Sequence, residues 1–163
     1  FEFSFFFKDL EMEDNLLGQP KAEKITSQDV GLFVLRFVVG VMIIHHSLQK
    51  FNNPSGFAKN IVEQYFAFLP WPMLWTYLAA TMELLGPIML ILGIFTRLAA
   101  LGLLCTMFFA MAFHFMHTGL QGFPLGIPTS GAYNFEPAML CGAVFFYLLM
   151  AGPGKLALAP TSC

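Results

Sequence analysis

Four long apolar runs, one short amphipathic piece and two polar stretches alternate along the chain. The first run, DVGLFVLRFVVGVMIIHHSLQKF over 29–51, is apolar enough to enter a bilayer. Asp29 is its predicted N-cap, with Ser27 and Thr26 as competitors, and Asn52, Asn53, Pro54 and Gly56 stop it beyond about Leu48. A helix of ~20 residues rising ~1.5 Å per residue covers the ~30 Å of hydrocarbon, so this run spans. From Ser55 to Leu69 the pattern changes. Phe57, Ile61, Tyr65 and Phe68 recur at helical spacing with Lys59, Asn60, Glu63 and Gln64 between them, which suits a helix lying in the membrane interface. Trp71 and Trp75, flanked by Pro70 and Pro72, mark the headgroup level. A second span is predicted from about Pro72 to Ile94 and a third from about Thr96 to His117, joined at Gly93 by a turn tight enough to make them antiparallel neighbours. Gly119, Gly122, Pro124, Gly126, Pro128 and Gly131 break 119–133 into a loop. The fourth and shortest run starts near Asn134 to Pro137 and ends at Gly152, Pro153 and Gly154. The expected fold is all-α: an integral membrane four-helix bundle with a short interfacial helix between spans one and two.

Composition sharpens that reading. The chain is 57% hydrophobic and 11% charged, where a soluble domain carries roughly 25% charged residues. The mean hydropathy of +0.69 agrees. The lipid bilayer is therefore a partner, and a net charge of −2 without a basic patch offers nothing to nucleic acid. Cys105, Cys141 and Cys163 show neither CxxC nor Cys/His ligand spacing, so no metal site is predicted, and Cys105 and Cys141 read as small buried hydrophobes. Residues 1–28 hold six acids, three lysines and a cluster of phenylalanines, an acidic, Phe-rich extension that lies against a membrane or another subunit, or is solvated. It lacks the basic start and cleavage site of a secretory signal. Without an initiator Met, the chain reads as a mature form after removal of a targeting peptide or as an incomplete one. The division expected is this extension, a membrane domain over 29–158, and a short tail over 159–163.

Four spans put both termini on one side, together with Lys8, Lys21, Lys24, Arg97, Lys155 and, just inside, Arg36; the other side has only Lys50 and Lys59. Counted by Lys and Arg, the terminal side is cytoplasmic, stromal or matrix-facing. The same topology brings His45 and His46 at the end of the first span, His114 and His117 at the end of the third, and Glu136 at the start of the fourth to the opposite side, with Gln49 beside them and Glu83 deeper in the second span.

Ionisable groups inside a membrane are costly and need partners. His45, His46, Gln49, Glu83, His114, His117 and Glu136 are therefore the candidate cofactor-binding residues, and none is assigned a catalytic role. Haem or chlorophyll liganded by imidazole and a quinone held by His or Gln donors are the candidate ligands. Interhelical hydrogen bonding is the bland alternative for each residue. For Glu83 the candidate partners are Arg36 or the histidines.

The segments LRFVVGVMIIHHSLQKF, MELLGPIMLILGIFTRLAALGLL and FEPAMLCGAVFFYLLMAGPGKLAL resemble, in order and spacing, the DoxX family of small four-helix membrane proteins. The likeness covers about 30–158 and carries Arg36, His46, Gln49, Lys50, Glu83, Arg97 and Glu136 as matching positions. The doubled histidine and the long extension depart from it. The resemblance implies a tie to thiosulfate:quinone oxidoreductase, without a catalytic residue carried by the family as a whole. Small size, a high Phe content and no nucleophile motif lead to a non-catalytic membrane subunit of a larger electron-transfer complex, photosynthetic in one version with a thylakoid setting. Other membrane subunits are then its partners. The rival expectation is a quinone-linked membrane oxidoreductase component.

Overall fold

The computed structural model describes residues 25–159. All but the last few positions of the acidic extension lie outside the described residues, as does most of the C-terminal tail. The described chain is all-helical: α1 (Ser27–Asn52), α2 (Pro54–Phe57) running directly into a π-helical stretch (Ala58–Glu63), α3 (Pro72–Leu92), α4 (Thr96–Thr118) and α5 (Glu136–Ala151).

Local chemistry explains each boundary. Thr26, one of the competitors for the first cap, takes that role. Asp29, three residues on, reaches back, so that its amide donates to Thr26 Oγ1 at 3.3 Å while Thr26 N donates to Asp29 Oδ2 at 2.8 Å. α1 continues past Leu48 to Asn52, and Asn53 then caps α2 by accepting from Gly56 N at 3.0 Å. Pro72 and Pro137 occupy first turns, where a missing amide costs nothing. Between α3 and α4 the chain reverses at Gly93, whose φ of +70 ends α3. A Cβ there would strike both Ala157 and the Arg36 guanidinium, so only glycine fits.

α3 packs between α1 and α4, α5 packs on α4, and α1 meets α5 only lightly. Val39 and Ile43 of α1, Leu90 of α3, Leu103 and Met107 of α4, and Phe145 and Leu148 of α5 form the buried core. The outward faces are apolar too, with Val34, Phe37, Val38 and Val41 exposed on α1 and Leu98, Leu101 and Phe108 on α4. Three helices, Ser27–Asn52, Pro72–Leu92 and Thr96–Thr118, are long and apolar enough to cross a membrane, and Glu136–Ala151 is a shorter apolar helix. Such a skin around an all-helical core is that of a membrane protein.

One end of the bundle is sealed. Arg36 is completely buried, donating from Nη1 to Leu90 O at 3.1 Å and from Nη2 to Leu156 O. The segment after α5 folds back across this end. Leu158 N donates to Leu92 O at 2.9 Å and Lys155 N to Asp29 Oδ1 at 3.0 Å. The helix-one arginine is thus a clamp for the returning chain and for the buried Leu90 carbonyl near the end of α3.

Candidate functional site

The opposite end is hollow. A cavity of about 630 Å³ opens among α1, α2, the π-helical stretch, α3, α4 and the start of α5. Most of its wall is apolar, with Ile43, Phe57, Phe66, Met82 and Phe113 among the contributors; His46, Gln49, Lys50, Glu83, His114 and Asn134 supply most of the polar part.

Its pole is an ion pair between Lys50 Nζ and Glu83 Oε2, with side chains only 12% and 4% exposed. The pairing follows from helix direction. Side chains lean toward the N-terminus of their own helix, and α1 and α3 run antiparallel, so Lys50 leans inward from one side and Glu83 toward it from the other. Ser47 fixes the register by donating to Ala80 O at 2.7 Å, three residues before each member of the pair. Phe57 of α2 covers the ammonium, its ring centroid 5.1 Å from Nζ. The sequence-level candidates for the partner of Glu83 were Arg36 and the histidines. Arg36 is engaged at the sealed end, and Lys50 takes the place because it sits one turn beyond His46 on the same face of α1.

The remaining candidate residues divide. His46, Gln49, Glu83 and His114 lie on the cavity wall, while His45, His117 and Glu136 lie off it. His45 packs against the His46 ring at 4.0 Å between centroids. His117 Nδ1 meets Tyr65 Oη at 2.6 Å, and its ring stacks on Phe113 at 5.4 Å, tying α4 to the end of the π-helical stretch. Glu136 is half-buried at the first turn of α5, with its amide donating to Tyr133 O at 3.0 Å. The polar wall also includes Lys50, Asn134 and Thr106, outside the sequence-based set. For Lys50 the signal was available in its i, i+4 relation to His46. Asn134 had none; its backbone is held by Gln121 Oε1, which accepts from Asn134 N at 2.8 Å across the loop. Among the described residues no three His, Cys, Asp or Glu side chains gather to hold a metal ion.

An apolar chamber with one charged pole and imidazole and amide groups around it can hold a flat apolar molecule by its body and hydrogen-bond its oxygens. Lys50 and Glu83 lie in a water-poor setting, where each counts for more than in solvent.

A small helical membrane protein with a polar-capped internal cavity is the class that this geometry defines. Within it, the DoxX family model matches residues 31–118, and the chain belongs to the DoxX family. It is 36% identical over 130 residues, 78% of this chain and 87% of the relative, to an uncharacterized protein of Haemophilus influenzae. It is 25% identical over 134 residues, 82% of this chain and 88% of the relative, to a Bacillus subtilis protein named "Putative oxidoreductase CatD". No solved structure matches the chain.

Proposed function

We propose that this protein is the quinone-binding component of a membrane electron-transfer assembly. The quinone ring occupies the cavity with one carbonyl oxygen directed at the Lys50–Glu83 pair and the other toward His46, Gln49 or His114. The observation that carries this reading is the charged pole facing an apolar void. A buried ion pair is weak as a source of stability, since two apolar side chains of similar volume would serve as well. Its position beside a cavity therefore argues for a ligand that uses it.

The chemistry follows from the ligand. Reduction of a quinone to a quinol adds two electrons and two protons to the two oxygens. Lys50 stabilises charge as it develops on the nearer oxygen, and Glu83, His46 and His114 are proton donors and acceptors within the same chamber. The electrons come from a protein partner, which keeps the subunit role expected from the sequence while moving this chain from pure anchor to ligand site. The oxidoreductase name of the Bacillus subtilis relative supports the redox setting. Haem and chlorophyll are less well served, because their bond is to an imidazole, whereas the dominant polar feature here is an ammonium paired with a carboxylate. The relatives are bacterial, so the thylakoid version gains nothing from them.

In this proposal α5 is a fourth crossing, its 16 residues rising ~24 Å. Both chain ends then lie on the sealed side, and the helix after α1 rests at the headgroup level as a roof over the cavity. Organic extraction of the purified protein, with quantification of released quinones, tests the central point. Quinone in near-stoichiometric amount is expected. A chain that carries none and takes up none on addition of decylubiquinone contradicts the reading.

A further inference from the structure

The wall residues that also reach the molecular surface fall into two unlike groups. One is mostly polar: His46 and Gln49 on α1 with Asn134 and Pro137 at the start of α5, along the seam where α1 and α5 barely touch. The other is apolar and lies between α3 and α4. There Trp75 is 37% exposed, Leu78 51% and Phe109 37%, with Cys105 exposed beside them, and all four also line the cavity. The chamber thus opens sideways through the apolar skin as well as through a polar mouth.

The α3–α4 seam explains why the side opening lies where it does. Toward the sealed end two glycines draw the helices together. A Cβ on Gly102 would lie 2.6 Å from Met82 Cε, and one on Gly86 would lie 2.9 Å from Leu103 Cγ. One to two turns toward the hollow end, the antiparallel pairing brings Leu78 and Trp75 opposite Cys105 and Phe109. No glycine remains at these positions, where the four side chains face both the cavity and the molecular surface.

A ligand with a polar head at Lys50 and Glu83 would place a second apolar part along this seam, because the other mouth is lined mostly by imidazole and amide groups. We infer that the bound quinone carries a long apolar tail, which leaves the cavity sideways between α3 and α4, past Leu78, Trp75, Cys105 and Phe109, into the lipid. This rests on the quinone reading and adds the tail as a requirement. The tail's burial along the seam then supplies most of the affinity, and the polar mouth is left for water and protons.

The native Cys105 reports on the seam directly. The full chain in nanodiscs of quinone-free lipid is exposed to N-ethylmaleimide, and labelling is followed by mass spectrometry, with a soluble thiol peptide in the same tube as the reference. Two ligands are compared at saturation: decylubiquinone, and the same ring with a methyl group in place of the decyl tail. Both rings are fully substituted, so neither adds to thiols. The tailed compound slows Cys105 labelling several-fold relative to the reference peptide, and the tailless one leaves it nearly unchanged. Leu78→Trp, which narrows the seam, weakens the tailed compound about tenfold and the tailless one by less than about twofold. Binding of decylubiquinone with Cys105 labelled at its free rate overturns the side route and leaves the quinone site standing. Failure of both quinones to bind overturns the site and the route together.

Discussion

Arg36 and Lys50 stand toward opposite ends of the same helix, both held away from water, and they take opposite kinds of partner. Arg36 gives hydrogen bonds to two backbone carbonyls, Leu90 O and Leu156 O, away from the cavity wall. Lys50 meets a carboxylate, Glu83, on the wall of a chamber of about 630 Å³. Backbone acceptors cannot be exchanged or protonated, so an arginine bound to them fixes chain geometry. A side-chain acceptor can be both, and a void beside it admits a third participant. The contrast separates a cation that holds the fold from one that addresses a ligand, although both look equally anomalous in an apolar helix.

The largest effect should come from Arg36→Met. Two charge-assisted hydrogen bonds are lost, at about 1.5–3 kcal/mol each, and the returning segment 152–159 is released. SDS or thermal denaturation should show the loss, while the quinone affinity of the folded fraction stays near wild type. Equal loss of affinity would break the comparison. Next is Glu83→Gln, which strands the Lys50 ammonium in an apolar wall and costs about 3 kcal/mol. The double variant Lys50→Met/Glu83→Gln should recover most of that stability without recovering ligand binding. A double variant that binds normally would remove the functional role of the pair. Smaller is Gly102→Ala, which presses a methyl group against Met82 and should cost about 1–2 kcal/mol in denaturation. Smallest is Tyr65→Phe, which removes one hydrogen bond to His117 and should cost about 1 kcal/mol or less. Faster ligand release in a stopped-flow experiment would show that this bond helps to hold the roof in place.

Helix existence and bounds were readable because punctuation was strong. Pro72, Gly93, Thr96 and Gly152 bracket the apolar runs, and the observed bounds of α3 and α4 lie within two residues of the expected ones. What was not readable was rotation. His114 and His117 share a broad face, yet three residues turn a helix to about 60° short of a full circle. That difference leaves His114 on the wall and sends His117 to Tyr65. The partner of Glu83 depended on the same unknown, and Lys50 emerges only when the antiparallel lean of both side chains is known. The π-helical turn over Ala58–Glu63 was equally hidden, since Phe57, Ile61 and Tyr65 at fourfold spacing fit an ordinary α-helix. It matters here because that wider turn carries Ile61 and Val62 to the cavity wall.

The most direct measurement is the infrared difference spectrum of a carbonyl-labelled quinone bound to wild-type protein and to the Lys50→Met/Glu83→Gln variant. One carbonyl stretch should shift to lower frequency in the wild type, because an ammonium polarises that oxygen, and should return toward the free value in the double variant. Two unshifted carbonyls in the wild type, or a shift that survives the double substitution, would contradict a site built around this pair.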